Sequence, residues 1–273
     1  MATVVFFHAH PDDEALSTAG TMAALSASGH RVILLVATRG EEGEPVPGVL
    51  REGELLGERR TEELIKSANL LGVERVEFLD YRDSGMMDSP TTSNPECFWK
   101  ADLEEAVSRL DQLLQGETVD LLVIYDPNGG YGHPDHIQVH RVGTLWSDQI
   151  GIEEIRWTTL NRDAIKKTIE LAMRETPDTG IAGVGEDLEE RKKRAEEGSF
   201  GSAESEITHA IDVSDFIDKK KDSISAHQSQ IDEDSFFLKI SDEQFSAVFG
   251  TEWFINPKET RKDNEPFKAN LFN

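Results

Sequence analysis

Short apolar runs alternate with longer helical patterns through the first 160 residues, and this alternation restricts the fold more than any other feature. Five apolar runs predict strands, at residues 4–7, 31–37, 76–79, 121–125 and 155–159. Four helical patterns predict the main helices between them, at residues 14–28, 54–71, 103–114 and 136–146. Strands and helices in this alternation form a parallel sheet that is covered by helices on both faces. The sequence therefore predicts an α/β fold, a Rossmann-like three-layer domain with a mostly parallel sheet.

The regular pattern weakens after residue 175. Residues 175–206 contain Pro, Gly and many charged residues but few large apolar ones, which predicts a mobile insertion. A sixth strand, antiparallel or at an edge of the sheet, is predicted at residues 207–213, and a further helix at residues 214–230. We interpret the whole chain as a single domain, with its α/β core at residues 1–160 and an irregular C-terminal cap and tail at residues 207–273.

The chain is strongly acidic. It contains 53 Asp and Glu residues against 28 Lys and Arg residues, which gives a formal net charge of −25 at pH 7. A surface of this charge repels nucleic acid and anionic lipid, so neither is an expected partner. We expect no membrane span and no secretory signal, because the apolar runs are only as long as strands. Together with Cys97 as the only cysteine, these features predict a cytoplasmic protein without a disulfide bond within the chain.

Two motifs rich in histidine and carboxylate follow predicted strands. HPDDE occupies residues 10–14, directly after the strand at 4–7, and HPDH occupies residues 133–136, after the strand at 121–125. Ligands bind at the carboxyl ends of strands in an open parallel sheet, so we expect the two motifs to meet there. Imidazole nitrogens and carboxylate oxygens bind Zn²⁺, and catalytic zinc sites use three protein ligands and leave one position open. The sequence thus predicts a hydrolytic metal site with additional acid and base groups.

The motifs also have other interpretations. The carboxylates at residues 12–14 suit the start of a helix, where they would only cap it. His136 and His140 have the spacing of a helical zinc pair, although Ile137 stands where such metalloprotease motifs carry a glutamate. The glycine-rich residues 129–132 lack the lysine and the spacing of nucleotide-binding loops, and no serine lies in a nucleophile elbow. A nucleotide-binding protein and a serine hydrolase are therefore not expected.

Taken as a pair, the two motifs resemble those of the PIG-L/LmbE-like family of zinc-dependent N-acetylglucosamine deacetylases. RTEEL at residues 60–64 is similar to a further element of that family. YRDSGM at residues 81–86 and AHQSQI at residues 226–231 resemble its mycothiol branch, the mycothiol biosynthetic deacetylases and the mycothiol S-conjugate amidases. The resemblance is good over residues 4–145 and loose over residues 207–255.

The resemblance implies a metal site and two catalytic residues. His10, Asp13 and His136 would ligate zinc. Asp12 would be the general base that takes a proton from water, and His133 would either stabilise the oxyanion or protonate the leaving amine. Zn²⁺ is the implied cofactor, and Fe²⁺ or Co²⁺ would also suit two histidines and an aspartate.

The resemblance also implies a substrate and the residues that bind it. Arg60 would bind substrate hydroxyls or a phosphate, Tyr131 would polarise the amide carbonyl, and Asp83 would orient His133. The reaction would be hydrolysis of the acetamide of a small N-acetylglucosamine conjugate, such as N-acetylglucosaminyl-inositol, to acetate and a free amine. The alternatives are a mycothiol S-conjugate amidase, a deacetylase of another amino sugar, and a non-catalytic module that binds sugar or metal. Whether the protein forms a homo-oligomer also stays open.

Overall fold

A computed structural model describes residues 1–175 and 200–272, and within them the chain forms one seven-stranded sheet. The order of the strands across the sheet is β3-β2-β1-β4-β5-β7-β6. The strands, in chain order, are β1 (Thr3–His8), β2 (Arg31–Val36), β3 (Arg75–Phe78), β4 (Leu121–Tyr125), β5 (Ile155–Thr159), β6 (His209–Asp212) and β7 (Thr251–Ile255).

The first five strands run parallel, and β1 lies at the centre of them between β2 and β4. The register pairs Phe6 with Leu34 of β2 and with Val123 of β4. All three side chains are buried, because a parallel sheet has helices on both faces and exposes neither of them. The predicted α/β fold with a mostly parallel sheet is therefore confirmed.

Helices cover both faces of the sheet. On one face, α4 and α6 pack on alternate residues of the strands, such as Val5 and Ile33, and on the other face α2 and α3 pack on the intervening residues, such as Val4 and Val32. The helices, in chain order, are α1 (Asp13–Ser17), α2 (Ala19–Ala27), α3 (Leu56–Leu71), α4 (Leu103–Leu113), α5 (Gly129–Gly132), α6 (Pro134–Ile150), α7 (Arg162–Glu175), α8 (Ile217–Ala226), α9 (Phe236–Lys239) and α10 (Asp242–Phe249). No helix in the described ranges is long and apolar enough to cross a membrane.

Some boundaries differ from the predictions. The helix expected at residues 14–28 is divided at Thr18 into α1 and α2, and Thr18 Oγ1 lies 2.8 Å from His8 Nε2. The helix expected at residues 214–230 is α8, which is shorter and is preceded by a turn of 3₁₀ helix. The sixth strand lies at the edge of the sheet and is antiparallel to its neighbour, as expected.

The C-terminal segment contains more regular structure than the sequence indicated. We did not predict β7, which lies inside the sheet and runs antiparallel to both β5 and β6. The short helices α9 and α10 were not predicted either. The mobile insertion expected at residues 175–206 lies outside the described residues apart from its two ends. The division of the chain into core, insertion and cap stays a prediction.

A buried ion pair attaches β7 to the helices on one face of the sheet. Lys220 Nζ lies 2.7 Å from Glu252 Oε1, and neither side chain is more than 2% exposed. The Glu252 carboxylate also accepts hydrogen bonds from the backbone N–H groups of Gly20 and Thr21, at 2.9 and 2.8 Å. These donors lie in the first turn of α2, where the helix dipole favours a negative charge. Glu252, near the other end of the chain, therefore supplies the hydrogen-bond acceptor that the first N–H groups of α2 lack within the helix.

Replacing Lys220 with methionine is expected to lower the free energy of unfolding by about 3–5 kcal/mol, because the Glu252 carboxylate would remain buried without its cation. Lys221→Met is the matched control: its partner Asp242 has a side chain that is 90% exposed, so this pair should contribute less than about 1 kcal/mol. Urea denaturation of both variants measures the difference. Equal losses would show that burial of the first pair is unimportant for stability.

Candidate metal and catalytic site

The two motifs meet at the carboxyl edge of the sheet, as the sequence predicted. HPDDE follows β1 and leads into α1, while HPDH follows β4 after the short turn α5 and opens α6. Because β1 and β4 are neighbours in the sheet, their following segments lie side by side. The loop after β3 adds Asp83 and Ser84, and Ser84 donates a backbone hydrogen bond of 2.9 Å to Asp135 Oδ2. Three strand ends thus contribute to one site.

The Asp13 carboxylate lies between the two histidines that were predicted to share a metal with it. Asp13 Oδ2 is 3.3 Å from His10 Nδ1, and Asp13 Oδ1 is 3.3 Å from His136 Nε2. The backbone N–H of His10 also donates a 2.8 Å hydrogen bond to Asp13 Oδ2. All three residues are buried. The structure therefore brings together the imidazoles and the carboxylate of the predicted ligand set.

Among the residues that the structure describes, two groups have their ligand atoms within 4.8 Å of one another, close enough to share a metal ion. One group consists of His10, His133 and His136, and the other of His10, Asp83 and Asp135. Asp135 is completely buried; it was one of the possible donors of the HPDH motif but not one of the three expected ligands. His10 is common to both groups, so any metal at this edge of the sheet would lie beside His10.

Hydrogen bonds distinguish His133 from His136. His136 Nδ1 is 3.1 Å from the Gly129 carbonyl oxygen, which can only accept, so Nδ1 carries a proton and Nε2 keeps a free lone pair. His133 Nδ1 instead accepts a 3.2 Å hydrogen bond from the backbone N–H of Asp135, so the neutral ring carries its proton on Nε2. His136 therefore offers a metal ligand, whereas His133 offers a hydrogen-bond donor.

Gly129 makes the position of His136 possible. Its φ of +65° lies in the left-handed region, and a Cβ at Gly129 would lie 2.6 Å from the Cβ of His136. A larger residue would be strained in this conformation and would displace the histidine ring. The glycine-rich turn at residues 129–132 thus allows a close approach of its backbone to α6.

The site concentrates negative charge around His10. Its Nε2 is 3.2 Å from Asp135 Oδ2 and 3.5 Å from Asp83 Oδ1, while Asp13 contacts the other ring nitrogen. Burial disfavours the charged imidazole, but the Asp83, Asp13 and Asp135 carboxylates outweigh it and raise the pKa of His10 well above its usual value. Three buried carboxylates that converge in this way favour a cation, and together with two imidazoles they form a donor set that fits a divalent metal.

Asp12 lies beside this cluster in an unusual backbone conformation. Its φ of +97° is in the left-handed region, which residues other than glycine rarely adopt, and such strain is often found at functional sites. Its Oδ2 is 3.2 Å from Arg60 Nη2. Burial raises the pKa of the Asp12 carboxyl despite the opposing charge of Arg60. A half-buried carboxylate with a raised pKa is suited to accept a proton.

The Arg60 guanidinium is bonded to other groups of the protein in this structure. It donates hydrogen bonds to the carbonyl oxygens of Pro11 and Gly40 in addition to its contact with Asp12. The side chain is only 5% exposed, which leaves little of it for a substrate. The predicted binding of substrate hydroxyls or phosphate by Arg60 stays a prediction, and the observed contacts hold Asp12 instead.

Tyr131 and Asp83 also lie at the site. The Tyr131 hydroxyl is 3.4 Å from His136 Nε2, and burial raises the pKa of Tyr131, so the hydroxyl stays protonated and can donate. Asp83 accepts a 2.8 Å hydrogen bond from the backbone of Gly85 and faces His10. In the described part of the chain it makes no hydrogen bond to His133, so its expected role in orienting His133 stays a prediction.

His140, the rival ligand, belongs to neither group of possible ligands. Its Nδ1 donates a 2.9 Å hydrogen bond to the carbonyl oxygen of Tyr125, and its ring lies against Trp157 with centroids 5.1 Å apart. Although it is one helical turn from His136, it packs against the sheet. The helical pair of zinc ligands is therefore not assembled.

A family model described as PIG-L, GlcNAc-PI de-N-acetylase, matches residues 5–147, which is more than half of the chain and includes both motifs. The chain belongs to the PIG-L family.

Proteins named 1D-myo-inositol 2-acetamido-2-deoxy-α-D-glucopyranoside deacetylase are also similar to it. The one from Acidothermus cellulolyticus is 38% identical, and the match covers 93% of this chain and 88% of that protein. The one from Thermobifida fusca is 34% identical, with 98% of both chains covered. The resemblance inferred from the sequence is thus confirmed.

Solved structures with the same fold have different activities in their names. The N,N′-diacetylchitobiose deacetylase of Pyrococcus horikoshii has a TM-score of 0.55 at 20% identity, with 92% of this chain and 82% of that chain covered. The 4-carboxy-2-hydroxymuconate hydratase of Pseudomonas putida has a TM-score of 0.58 at 15% identity, with 97% of this chain and 100% of that chain covered. PIG-L membership and the site residues therefore say more about this chain's chemistry than its fold does.

One further residue at this PIG-L site, Tyr125, was given no role from the sequence. The ring of Tyr125 stacks on His136, with centroids 4.1 Å apart and planes at 16°. Its hydroxyl accepts a 3.2 Å hydrogen bond from the backbone of Ala9 and lies 3.0 Å from His8 Nδ1. Tyr125 was taken only as the last residue of a buried strand. Its place at the strand end, ahead of the HPDH motif, was the one signal available.

Proposed function

We propose that this chain is a metal-dependent de-N-acetylase that hydrolyses the acetamide of a small N-acetylglucosamine conjugate, releasing acetate and a free amine. The observation that carries the proposal is the meeting of His10, Asp13 and His136 beside Asp12 and His133 in one buried site. An inositol-linked amino sugar is the preferred substrate, because relatives named for that activity are similar over nearly the whole chain. A cytoplasmic location stays an expectation from the sequence.

We assign His10, Asp13 and His136 as the ligands of Zn²⁺, with Fe²⁺ or Co²⁺ suited to the same donors. Asp13 contacts both histidines, and because Nδ1 of His136 is bonded to the Gly129 carbonyl, its Nε2, which faces Asp13, is the atom available to a metal. When bound, Zn²⁺ polarises a carbonyl group and makes water a stronger acid. Asp135 and Asp83, on the other nitrogen of His10, would then orient its ring as outer partners.

Asp12 and His133 have separate roles in the proposed reaction. Asp12 accepts a proton from the attacking water and passes it to the nitrogen of the amide, so that the amine leaves in its neutral form. His133, with its proton on Nε2, donates a hydrogen bond to the carbonyl oxygen as that atom gains negative charge. Burial and the neighbouring His10 and His136 lower the pKa of His133, which favours oxyanion stabilisation over protonation of the leaving amine.

Chelation is expected to remove the activity, and added Zn²⁺ to restore it. Purified protein is incubated with N-acetylglucosaminyl-inositol, and release of the primary amine and of acetate is measured before chelation, after it, and after Zn²⁺ is returned. Mycothiol S-conjugates and other N-acetylglucosaminides serve as competing substrates, and faster cleavage of either would change the substrate assignment. Full activity without metal would contradict metal dependence. No acyl release from any of these amides would favour the non-catalytic binding module.

A further inference from the structure

Glu14, the last residue of the HPDDE motif, connects Asp12 to the C-terminal part of the chain. Its Oε2 accepts a 3.0 Å hydrogen bond from the backbone N–H of Asp12. Its Oε1 accepts hydrogen bonds from Ser67 Oγ at 2.5 Å and from His227 Nε2 at 2.6 Å. The Glu14, Ser67 and His227 residues have no exposed surface. One buried carboxylate thus bonds to α1, to α3 and to the end of α8.

These bonds hold the backbone of Asp12 in its left-handed conformation. A residue other than glycine keeps such a φ only when its surroundings enforce it. Arg60 contacts the Asp12 carboxylate, whereas Glu14 holds the Asp12 N–H, so the two ends of the residue are fixed by different partners. A shift of the Glu14 side chain would release the peptide N–H and let the Asp12 carboxylate change direction.

His227 is the partner that can keep Glu14 in place. A fully buried carboxylate requires strong donors, and His227 supplies one of the two that bind Oε1. The histidine backbone is itself fixed, because its carbonyl oxygen accepts hydrogen bonds from the N–H groups of Gln230 and Ile231, at 3.0 and 2.8 Å. The AHQSQI segment at residues 226–231 therefore ends α8 with a rigid turn that points His227 at Glu14.

We propose that His227 is a positioning residue for the reaction: through Glu14 it fixes the backbone of Asp12 and so the direction in which the base faces its substrate. This inference rests on the proposed function, because it treats Asp12 as the base. It gives the C-terminal segment a part in catalysis, although that segment supplies none of the assigned ligands.

Ser229 offers a matched control on the same turn. It is as completely buried as His227, and it also bonds to a buried carboxylate: its N–H and Oγ donate to the two oxygens of Glu63, at 2.9 and 2.6 Å. Ser229 makes no hydrogen bond to Glu14 in the described part of the chain. Losing either side chain removes a buried, charge-assisted bond from the AHQSQI segment, but only His227 is connected to Asp12.

The experiment compares His227→Leu, His227→Gln and Ser229→Ala in the metal-loaded enzyme. In His227→Leu, kcat is expected to fall by about 10–100-fold, as is typical when an outer partner of a catalytic group is removed, with KM and bound metal little changed. In His227→Gln the amide N–H₂ can still donate to Glu14, so most of kcat should return. In Ser229→Ala the melting temperature should fall, with the kcat of the folded enzyme unchanged.

Ser67→Ala tests the same connection if His227→Leu does not fold, because it removes the other donor to Glu14 Oε1. A several-fold loss of kcat is expected. An unchanged kcat in the folded variants, or a glutamine variant as impaired as the leucine variant, would overturn the inference. If the parent enzyme released no amine, the proposed function would fail. The positioning role could still be tested by crystallography, by comparing the backbone of Asp12 in His227→Gln with that in His227→Leu or Ser67→Ala. Asp12 should leave its positive φ only in the variants that lack a donor.

Discussion

Asp12→Asn is expected to reduce kcat by a factor of about 10²–10⁴ and to leave bound metal unchanged. Asparagine has the shape of aspartate, so the contact with Arg60 and the backbone conformation should persist, but it cannot accept a proton from water. In the described part of the chain, Asp12 forms an ion pair with Arg60 and, unlike Asp13, with neither His10 nor His136. Steady-state rates of amine release and metal analysis of the same preparation measure the two effects.

Asp88→Asn is the control for this substitution, since Asp88 is an exposed carboxylate on the loop after β3. It removes the same charge without touching the site, and its rate should equal that of the parent. Loss of metal from Asp12→Asn would make Asp12 a ligand. An active, metal-loaded Asp12→Asn would assign proton transfer to another group.

Replacing an assigned metal ligand, Asp13 or His136, is expected to weaken metal binding more than replacing the neighbouring His133. Asp13→Ala and His136→Leu should each reduce Zn²⁺ affinity by more than the roughly 10–100-fold that loss of an outer partner causes. His133→Leu should keep the metal and lose kcat, because its neutral ring has the proton on Nε2 and no lone pair there to share. Competition with a zinc-binding dye measures all three affinities.

This comparison also separates the possible ligand sets. Equal loss of metal in His133→Leu and His136→Leu would support the group of three histidines. Loss in Asp135→Ala beyond that in Asp13→Ala would support the group formed by His10, Asp83 and Asp135. Either result would replace the assignment of Asp13 and leave His10 as the shared ligand.

The parallel part of the fold could be predicted because each of its strands and helices has a recognisable pattern in its own short stretch of sequence. The strands from β1 to β5 are short apolar runs with helical patterns between them, and such alternation has few possible arrangements. β7 could not be found in this way. Its Glu252 is buried only because Lys220 and the start of α2 neutralise it, and those partners lie far away in the sequence. The break at Thr18 has a similar origin, since Thr18 bonds to His8 of β1.

The residues of the site were easier to predict than their contacts. Two His-Pro-Asp motifs at strand ends indicated which side chains would meet, and the geometry brings His10, Asp13 and His136 together. The spacing within a motif does not say which carboxylate faces which ring. That depends on how the loop after β3 and helix α3 pack, and this packing places Asp83 beside His10 and Arg60 beside Asp12. The bond between Glu14 and His227 joins residues 213 positions apart, which no local pattern reveals.

The position of β7 between β5 and β6 has a consequence for biosynthesis. Both of its neighbours are made before it, yet they cannot pair with each other in the native order. Until residues 251–255 have left the ribosome, the nascent protein carries an unpaired edge on β5. Unpaired edges recruit other strands, and long-range pairing forms slowly. Newly made copies should therefore be more prone to pair with other chains until the last strand inserts between β5 and β6.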